Sequence, residues 1–163
     1  ALAFGKELHT VIYITDPENW AGIQRESEGI LKRYLKPGMR LLDAGCGYGA
    51  LCDVVEKDII YVGVDISPDL IEIANLRNPN NWFEVGDLRS MPQFADGYFD
   101  FSVFRSVAGM TVDNLGKELW EDIKKEVKRV SKYLITIEYT DMANYTVEPS
   151  IDYMKETDVN TNA

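Results

Sequence analysis

The stretch Arg40-Leu41-Leu42-Asp43-Ala44-Gly45-Cys46-Gly47-Tyr48-Gly49-Ala50 constrains the fold of this chain more than any other. It opens as an apolar run with the length of a buried strand, then alternates glycine with other residues at Gly45, Gly47 and Gly49. The following segment, Ala50 to Glu56, reads as a helix. Glycine tolerates positive φ and carries no Cβ, so a backbone with this spacing turns sharply and lets a ligand come close. Alternating glycines are costly to a fold that does not use them. A strand, a glycine turn and a helix in this order belong to an α/β architecture, with a ligand cradle at the carboxyl end of the strand.

The glycines alone do not choose the ligand. Gly45, Gly47 and Ala50 satisfy the loose dinucleotide pattern G-x-G-x-x-G/A. Asp43 argues against that, because a carboxylate at the strand's end repels a pyrophosphate and attracts an ammonium group. The spacing fits (D/E)-x-G-x-G-x-G better, and Leu35-Lys36-Pro37-Gly38-Met39-Arg40 leads into it. In this combination the chain resembles motif I of the class I S-adenosylmethionine (SAM)-dependent methyltransferases.

Further along, Ile59-Ile60-Tyr61-Val62-Gly63-Val64-Asp65-Ile66 is a β-branched run ending in an acid, and Ser67-Pro68-Asp69-Leu70 follows as a capped helix start. Asp65 stands about twenty residues past the glycine loop, where βαβ geometry places a carboxylate beside a ribose. With Ser67 supplying the cap, both Asp65 oxygens are expected to serve the ligand. A third strand, Trp82-Phe83-Glu84-Val85, runs into Gly86-Asp87-Leu88. Met91 to Val103 resembles the family's "LPF…FD" region, with Phe99-Asp100 opening a fourth strand that exits at Phe104-Arg105-Ser106. Asn114 to Lys132 is an amphipathic helix carrying Leu119, Ile123, Val127 and Val130 on one side, and Tyr133 to Tyr139 is a fifth strand. Upstream, Thr15-Asp16-Pro17-Glu18 is a helix start, and the helix from Trp20 to Leu35 stops at Lys36-Pro37-Gly38.

The resemblance covers about residues 30 to 140. It implies a doubly wound, mostly parallel Rossmann-like sheet flanked by helices, in a single SAM-binding domain over residues 1–163. Residues 1–36 form a helical lid segment, 37–140 the core and 141–163 a short tail. It implies that Gly45, Cys46, Gly47, Tyr48 and Gly49 back the methionine part of SAM, with Asp43 near its ammonium group. Asp65 would hold the ribose, Ile66 would pack on adenine, and Asp87 with Leu88 would read the adenine edge. Arg105 is either a partner for a cofactor or substrate carboxylate or an exposed rim charge. Tyr13, Trp20, Arg25, Ser106 and Glu138 are candidates to cover the cofactor or line the acceptor pocket. No catalytic residue stands out: many relatives carry a histidine after the fourth strand and this chain does not, leaving His9, Glu138 or a tyrosine as a base if one is needed.

Composition narrows the partners. The net charge of −10 disfavours a phosphate backbone, since counterion release needs clustered Lys and Arg. The one basic cluster, Lys124-Lys125 and Lys128-Arg129, is interleaved with Glu121, Asp122 and Glu126 and reads as a solvated helix face. The Asn/Asp-Pro-Pro-aromatic tetrapeptide of amino-group methylation on DNA bases is absent. Cys46 and Cys52 suggest no disulfide framework, which favours a reducing, cytoplasmic setting. No Cys/His cluster argues for a metal and no apolar run is long enough for a membrane span. The expected activity is methyl transfer from SAM to a small molecule, leaving S-adenosylhomocysteine. SAM binding without methyl transfer, a protein or nucleic-acid acceptor, and an NAD-binding module are the alternatives. Beyond Thr140 the pattern departs from the family, with one short strand at Tyr145-Thr146-Val147. That implies a reduced or missing hairpin and an open sheet edge, which a homodimer would cover.

Overall fold

The structure is a computed structural model describing residues 17–105, 107, 116–138 and 145–150. In chain order the elements are α1 (Pro17–Tyr34), β1 (Arg40–Ala44), a 3₁₀ turn (Leu51–Val54), β2 (Ile60–Asp65), α2 (Pro68–Arg77), β3 (Trp82–Val85), β4 (Phe99–Arg105), α3 (Lys117–Arg129), β5 (Ser131–Ile137) and β6 (Thr146–Pro149). The strands form one six-stranded sheet in the order β3-β2-β1-β4-β5-β6, parallel except for β6. This is the expected Rossmann-like, doubly wound arrangement.

Alternation along the strands builds a core on each face. Leu41, Tyr61, Phe83, Phe101, Val103 and Ile135 pack on one side with Ile30 and Leu31 of α1 and Ile71 and Ala74 of α2. Leu42, Ala44, Val62, Val64, Phe104 and Leu134 pack on the other with Ile123 and Val127 of α3 and with Met91 and Phe94 from the β3–β4 connection. Leu41, Leu42 and Ala44 are completely buried, as befits a central strand covered on both faces.

Several expected boundaries shift, for local reasons. The helix expected from Ala50 to Glu56 is only the 3₁₀ turn, and Val55 is already extended. The β-branched pair Val54-Val55 and the start of β2 so soon after leave too little chain to nucleate an α-helix. The helix α3 stops at Arg129 and β5 starts at Ser131, two residues ahead of the expected Tyr133. Ser131 belongs to the sheet because its buried hydroxyl bonds to that of Ser102 and donates to the Val127 carbonyl at 2.5 Å. On α2 the expected cap is present: the Ser67 hydroxyl accepts from the Leu70 N–H at 3.2 Å, with Pro68 next.

The edge expected to be open is closed at β5 by the chain's own β6, which pairs antiparallel from Tyr133↔Pro149 to Thr136↔Thr146. Glu148 on β6 faces α3, 2.6 Å from Lys128 Nζ and 3.4 Å from Lys124 Nζ. At the entry to β6 the Tyr145 hydroxyl lies 3.0 Å from that of Tyr34 and accepts from Arg33 at 3.1 Å. A second subunit at this edge would meet β6, not β5. Arg129 of the same basic cluster is paired too, with Glu126 at 2.6 Å and Asp96 at 2.7 Å.

Candidate cofactor site

The strand order turns back between β1 and β4, the switch point at which sheets of this kind take a ligand in a crevice at the strands' carboxyl ends. The glycine loop fills one wall. Gly45, Gly47 and Gly49 have φ of 76°, 56° and 84°. Their surroundings differ. A Cβ on Gly45 would meet Val107 Cγ2 at 2.9 Å, and one on Gly49 would meet the Phe83 ring at 3.0 Å. Among the described residues a Cβ on Gly47 would meet nothing within 4 Å. Gly45 and Gly49 therefore serve close packing, while Gly47 borders open space.

Hydrogen bonds fix the loop's shape. The N–H groups of Gly45 and Cys46 both donate to the Val64 carbonyl, at 2.8 and 3.1 Å, and the Gly49 N–H donates to the Cys46 carbonyl at 3.0 Å. The Gly47 N–H donates to Asp65 Oδ2 at 2.9 Å, and the Ser67 N–H to Asp65 Oδ1 at 2.9 Å. Asp65 thus departs from the expectation that its oxygens are wholly left to a ligand: it ties the loop to the exit of β2. An ionised carboxylate offers about four lone-pair directions, so beside the Gly47, Ser67 and Ile66 N–H groups it retains room for a hydroxyl. Burial pushes the Asp65 carboxyl up, against the pull of those backbone N–H groups.

Asp43 lies deeper than expected. It is 3% exposed, on the face of β1 shared with Tyr61, whose hydroxyl donates to it at 2.5 Å. Burial pushes its carboxyl up to about 6, opposed by the Tyr61 hydrogen bond and the Arg105 charge and reinforced by the Asp65 charge. Its influence on the crevice is therefore that of a charge set behind the loop. Cys46 is also buried, its thiol pushed well up by burial and directed at the Gly47 carbonyl at 3.5 Å. Tyr48 is half-buried, with Arg77 over its ring at 4.9 Å and donating to its carbonyl at 2.8 Å.

At the β2 and β3 exits two apolar side chains stand in the open: Ile66 is 51% and Val85 48% exposed. Val85 pairs in register with Asp65 and was missed by the sequence reading, although its place just before Gly86-Asp87 marks it. Asp87 is not open as expected. Arg89 donates to it from the main chain at 2.9 Å and from the guanidinium at 2.7 to 3.1 Å, and holds its carboxyl below the usual range. The Leu88 side chain is buried in the core beside Gly45.

Arg105 is no rim charge. It is 9% exposed, donates to Gln24 Oε1 at 2.5 Å and Ser27 Oγ at 3.2 Å, and lies 5.3 Å from the centre of the Trp20 ring. Trp20 is itself buried with Ile23 and Ala50, and Arg25 is exposed. Glu138 is half-buried directly after Ile137, the register partner of Arg105. Tyr13, Ser106 and His9 lie outside the described residues. Among the described residues no group of acidic, His and Cys side chains could hold a metal.

Residues 42–133 match a family model described as a methyltransferase domain. The chain belongs to that family. It is a class I, Rossmann-like SAM-dependent methyltransferase domain. It is 30% identical over 151 residues to a ribosomal protein L11 methyltransferase of Thermosipho africanus, a match covering 90% of this chain and 52% of the relative. It is 42% identical over 72 residues to the magnesium-protoporphyrin O-methyltransferase of Rhodobacter capsulatus, covering 40% of this chain and 31% of the relative. Among solved structures, a SAM-dependent methyltransferase from Methanosarcina mazei superposes with a TM-score of 0.58 at 28% identity, over 66% of this chain and 55% of that one. The domain spans about half the length of the Thermosipho protein.

The crevice of this methyltransferase domain fits SAM on its own geometry. Space left open by the described residues at Gly47 admits an extended ligand, the remaining acceptor capacity of Asp65 suits a hydroxyl, and Ile66 and Val85 offer apolar surface for an aromatic ring. The buried charge of Asp43 suits a cationic ligand better than a pyrophosphate.

Proposed function

We propose that this domain transfers the methyl group of SAM to a small-molecule acceptor and releases S-adenosylhomocysteine. The observation that carries the reading is the open space at Gly47 directly beside the Asp65 carboxylate. In it, the Gly45–Gly49 loop would back the methionine part and Asp43 would favour its ammonium group. Asp65 would hold the ribose, Ile66 and Val85 would flank the adenine, and Asp87 with the Leu88 backbone would lie at its edge. When bound, SAM supplies a methyl group already activated by its positive sulfur. The chain's own residues then need only bind, orient and keep water out. If the acceptor must lose a proton, Glu138 at the β5 exit is the candidate base among the described residues.

The net charge of −10 supports an acceptor other than nucleic acid. Both cysteines are unpaired and buried, which supports a reducing compartment, the cytoplasm. Among the described residues no helix is long and apolar enough to cross a membrane. A protein acceptor is the second reading, favoured by the likeness to ribosomal protein L11 methyltransferases over 90% of this chain. Incubation with methyl-labelled SAM, against a small-molecule extract and separately against ribosomal proteins, decides between them. Label in small compounds with matching S-adenosylhomocysteine supports the first reading, and label in protein the second. Tight SAM binding with no S-adenosylhomocysteine formed would overturn both.

A further inference from the structure

Gln24 sits in the middle of α1 and reaches in two directions at once. Its Oε1 accepts from Arg105 Nη1 at 2.5 Å, and its Nε2 donates to the Ala50 carbonyl at 2.8 Å. The orientation of the amide is forced: a guanidinium can only donate and a carbonyl can only accept. Ala50 closes the glycine loop, and its carbonyl also takes the Asp53 N–H at 3.3 Å as the 3₁₀ turn begins. Arg105 ends the central strand β4 and is held a second time by Ser27 of the same helix. The side chain of Gln24 thus spans from the β4 exit to the end of the loop.

We propose that Gln24 is a positioning residue for the cofactor loop, setting the docking of α1 on Arg105 and the shape of the Gly45–Ala50 loop together. Without it, α1 would still hold Arg105 through Ser27 and Trp20, but the loop would lose its hydrogen-bonded tie to the helix and keep only the packing of Ala50 and Tyr48 against Trp20 and Ile23. Sequence reading placed Trp20 near the cofactor and passed over Gln24, because a glutamine inside an amphipathic helix reads as solvated surface.

The proposal rests on the cofactor assignment, and two variants separate its parts. Gln24→Glu keeps an acceptor for Arg105 but sets a carboxylate oxygen against the Ala50 carbonyl, so the tie to the loop alone is broken. Gln24→Met keeps the length and breaks both. In the cofactor-free protein, Gln24→Glu should speed amide exchange at Gly49 and Asp53 about tenfold while Leu134 and Ile135 in β5 keep their protection. The Kd for SAM should rise about tenfold, the effect of one lost hydrogen bond at an ordered site, at an unchanged melting temperature. Gln24→Met should show the same loop exchange with a lowered melting temperature. Should it fail to fold, the Glu variant still decides. Wild-type exchange at Gly49 and Asp53 in Gln24→Glu, or wild-type SAM affinity, would overturn the proposal and reduce Gln24 to a docking contact. Faster loop exchange in the variant of a chain that binds no SAM would uphold the strut and overturn the cofactor assignment instead.

Discussion

Gly47 and Gly49 share positive φ but not surroundings, so one substitution can separate binding from folding. In Gly47→Ala the new methyl points into open space, and the fold loses only the roughly 1 kcal/mol of a left-handed non-glycine residue. SAM affinity should fall at least about tenfold, because the methyl occupies the cradle. Gly49→Ala should instead cost about 2–3 kcal/mol of stability, since Phe83 at 3.0 Å must shift within a packed core. Urea unfolding with calorimetric SAM titration reads both, and a Gly47→Ala protein that binds SAM normally would remove the loop from the site. Asp65→Ala should weaken SAM binding by about 1–3 kcal/mol, measured the same way. What could be read at this scale was the residue type and its place at a strand end. What could not was the partner: the bond from Gly47 N–H to Asp65 exists only once the loop has folded back on β2. Arg105 was ambiguous for the same reason, since its neighbours Gln24 and Ser27 lie about eighty positions away in sequence.

Elements were legible where periodicity was long and boundaries carried chemistry. The Ser67-Pro68 start of α2 and the β-branched run of β2 needed no tertiary help. The Ala50–Glu56 segment failed because glycine loop and next strand compete for too few residues, and Ser131 was hidden because a buried hydroxyl pair made a polar residue part of the sheet. The connection from β3 to β4, which seals one core, has no regular structure and is held by two side chains of α3, Glu126, which accepts from the Met91 N–H at 2.6 Å, and Arg129. Arg129 donates to the Met91 carbonyl at 3.0 Å, the Phe94 carbonyl at 3.1 Å and Asp96 at 2.7 Å, while its own carbonyl accepts from Gly97 at 2.8 Å. Arg129→Met keeps the stem and abandons those carbonyls. It should destabilise the domain by about 1–3 kcal/mol, because the Phe94 carbonyl and the Glu126 carboxylate lose a charged donor while the Met91 carbonyl keeps only the Phe94 N–H. Chemical denaturation checks the value, and a loss under about 0.5 kcal/mol, typical of a surface position, would show that Met91, Phe94 and the Glu126 bond hold the connection without Arg129.

For the whole molecule, the two-faced sheet places a charged group inside its own core, and that has a consequence for pH. Asp43 is buried against Tyr61 on one face of β1 while Leu42 and Ala44 fill the other. Its carboxyl titrates at about 6, above the ordinary aspartate value of 3.8, because burial disfavours the ion more than Tyr61 and Arg105 favour it. The folded state therefore binds a proton more tightly than the unfolded chain. Stability contributed by this group is complete below the unfolded value and is lost as pH rises through about 6, so neutral pH carries the full cost. Asp65, raised by the same burial, adds to the slope with the same sign. Asp43→Asn isolates the first contribution: the amide oxygen still accepts from Tyr61, no proton binds, and Arg105 loses a charge partner only toward pH 7, where the wild-type carboxyl is ionised. Relative to the wild type, the variant should gain on the order of 1–3 kcal/mol between pH 4 and pH 7, with most of the gain near the middle of that window. Parallel stability curves would place the Asp43 titration outside it. The same substitution removes the negative charge set behind the glycine loop, so SAM affinity should fall at pH 7 while stability there rises relative to pH 4. The two readouts move in opposite directions, as expected for a buried charge whose service is to the ligand and whose burden falls on the fold.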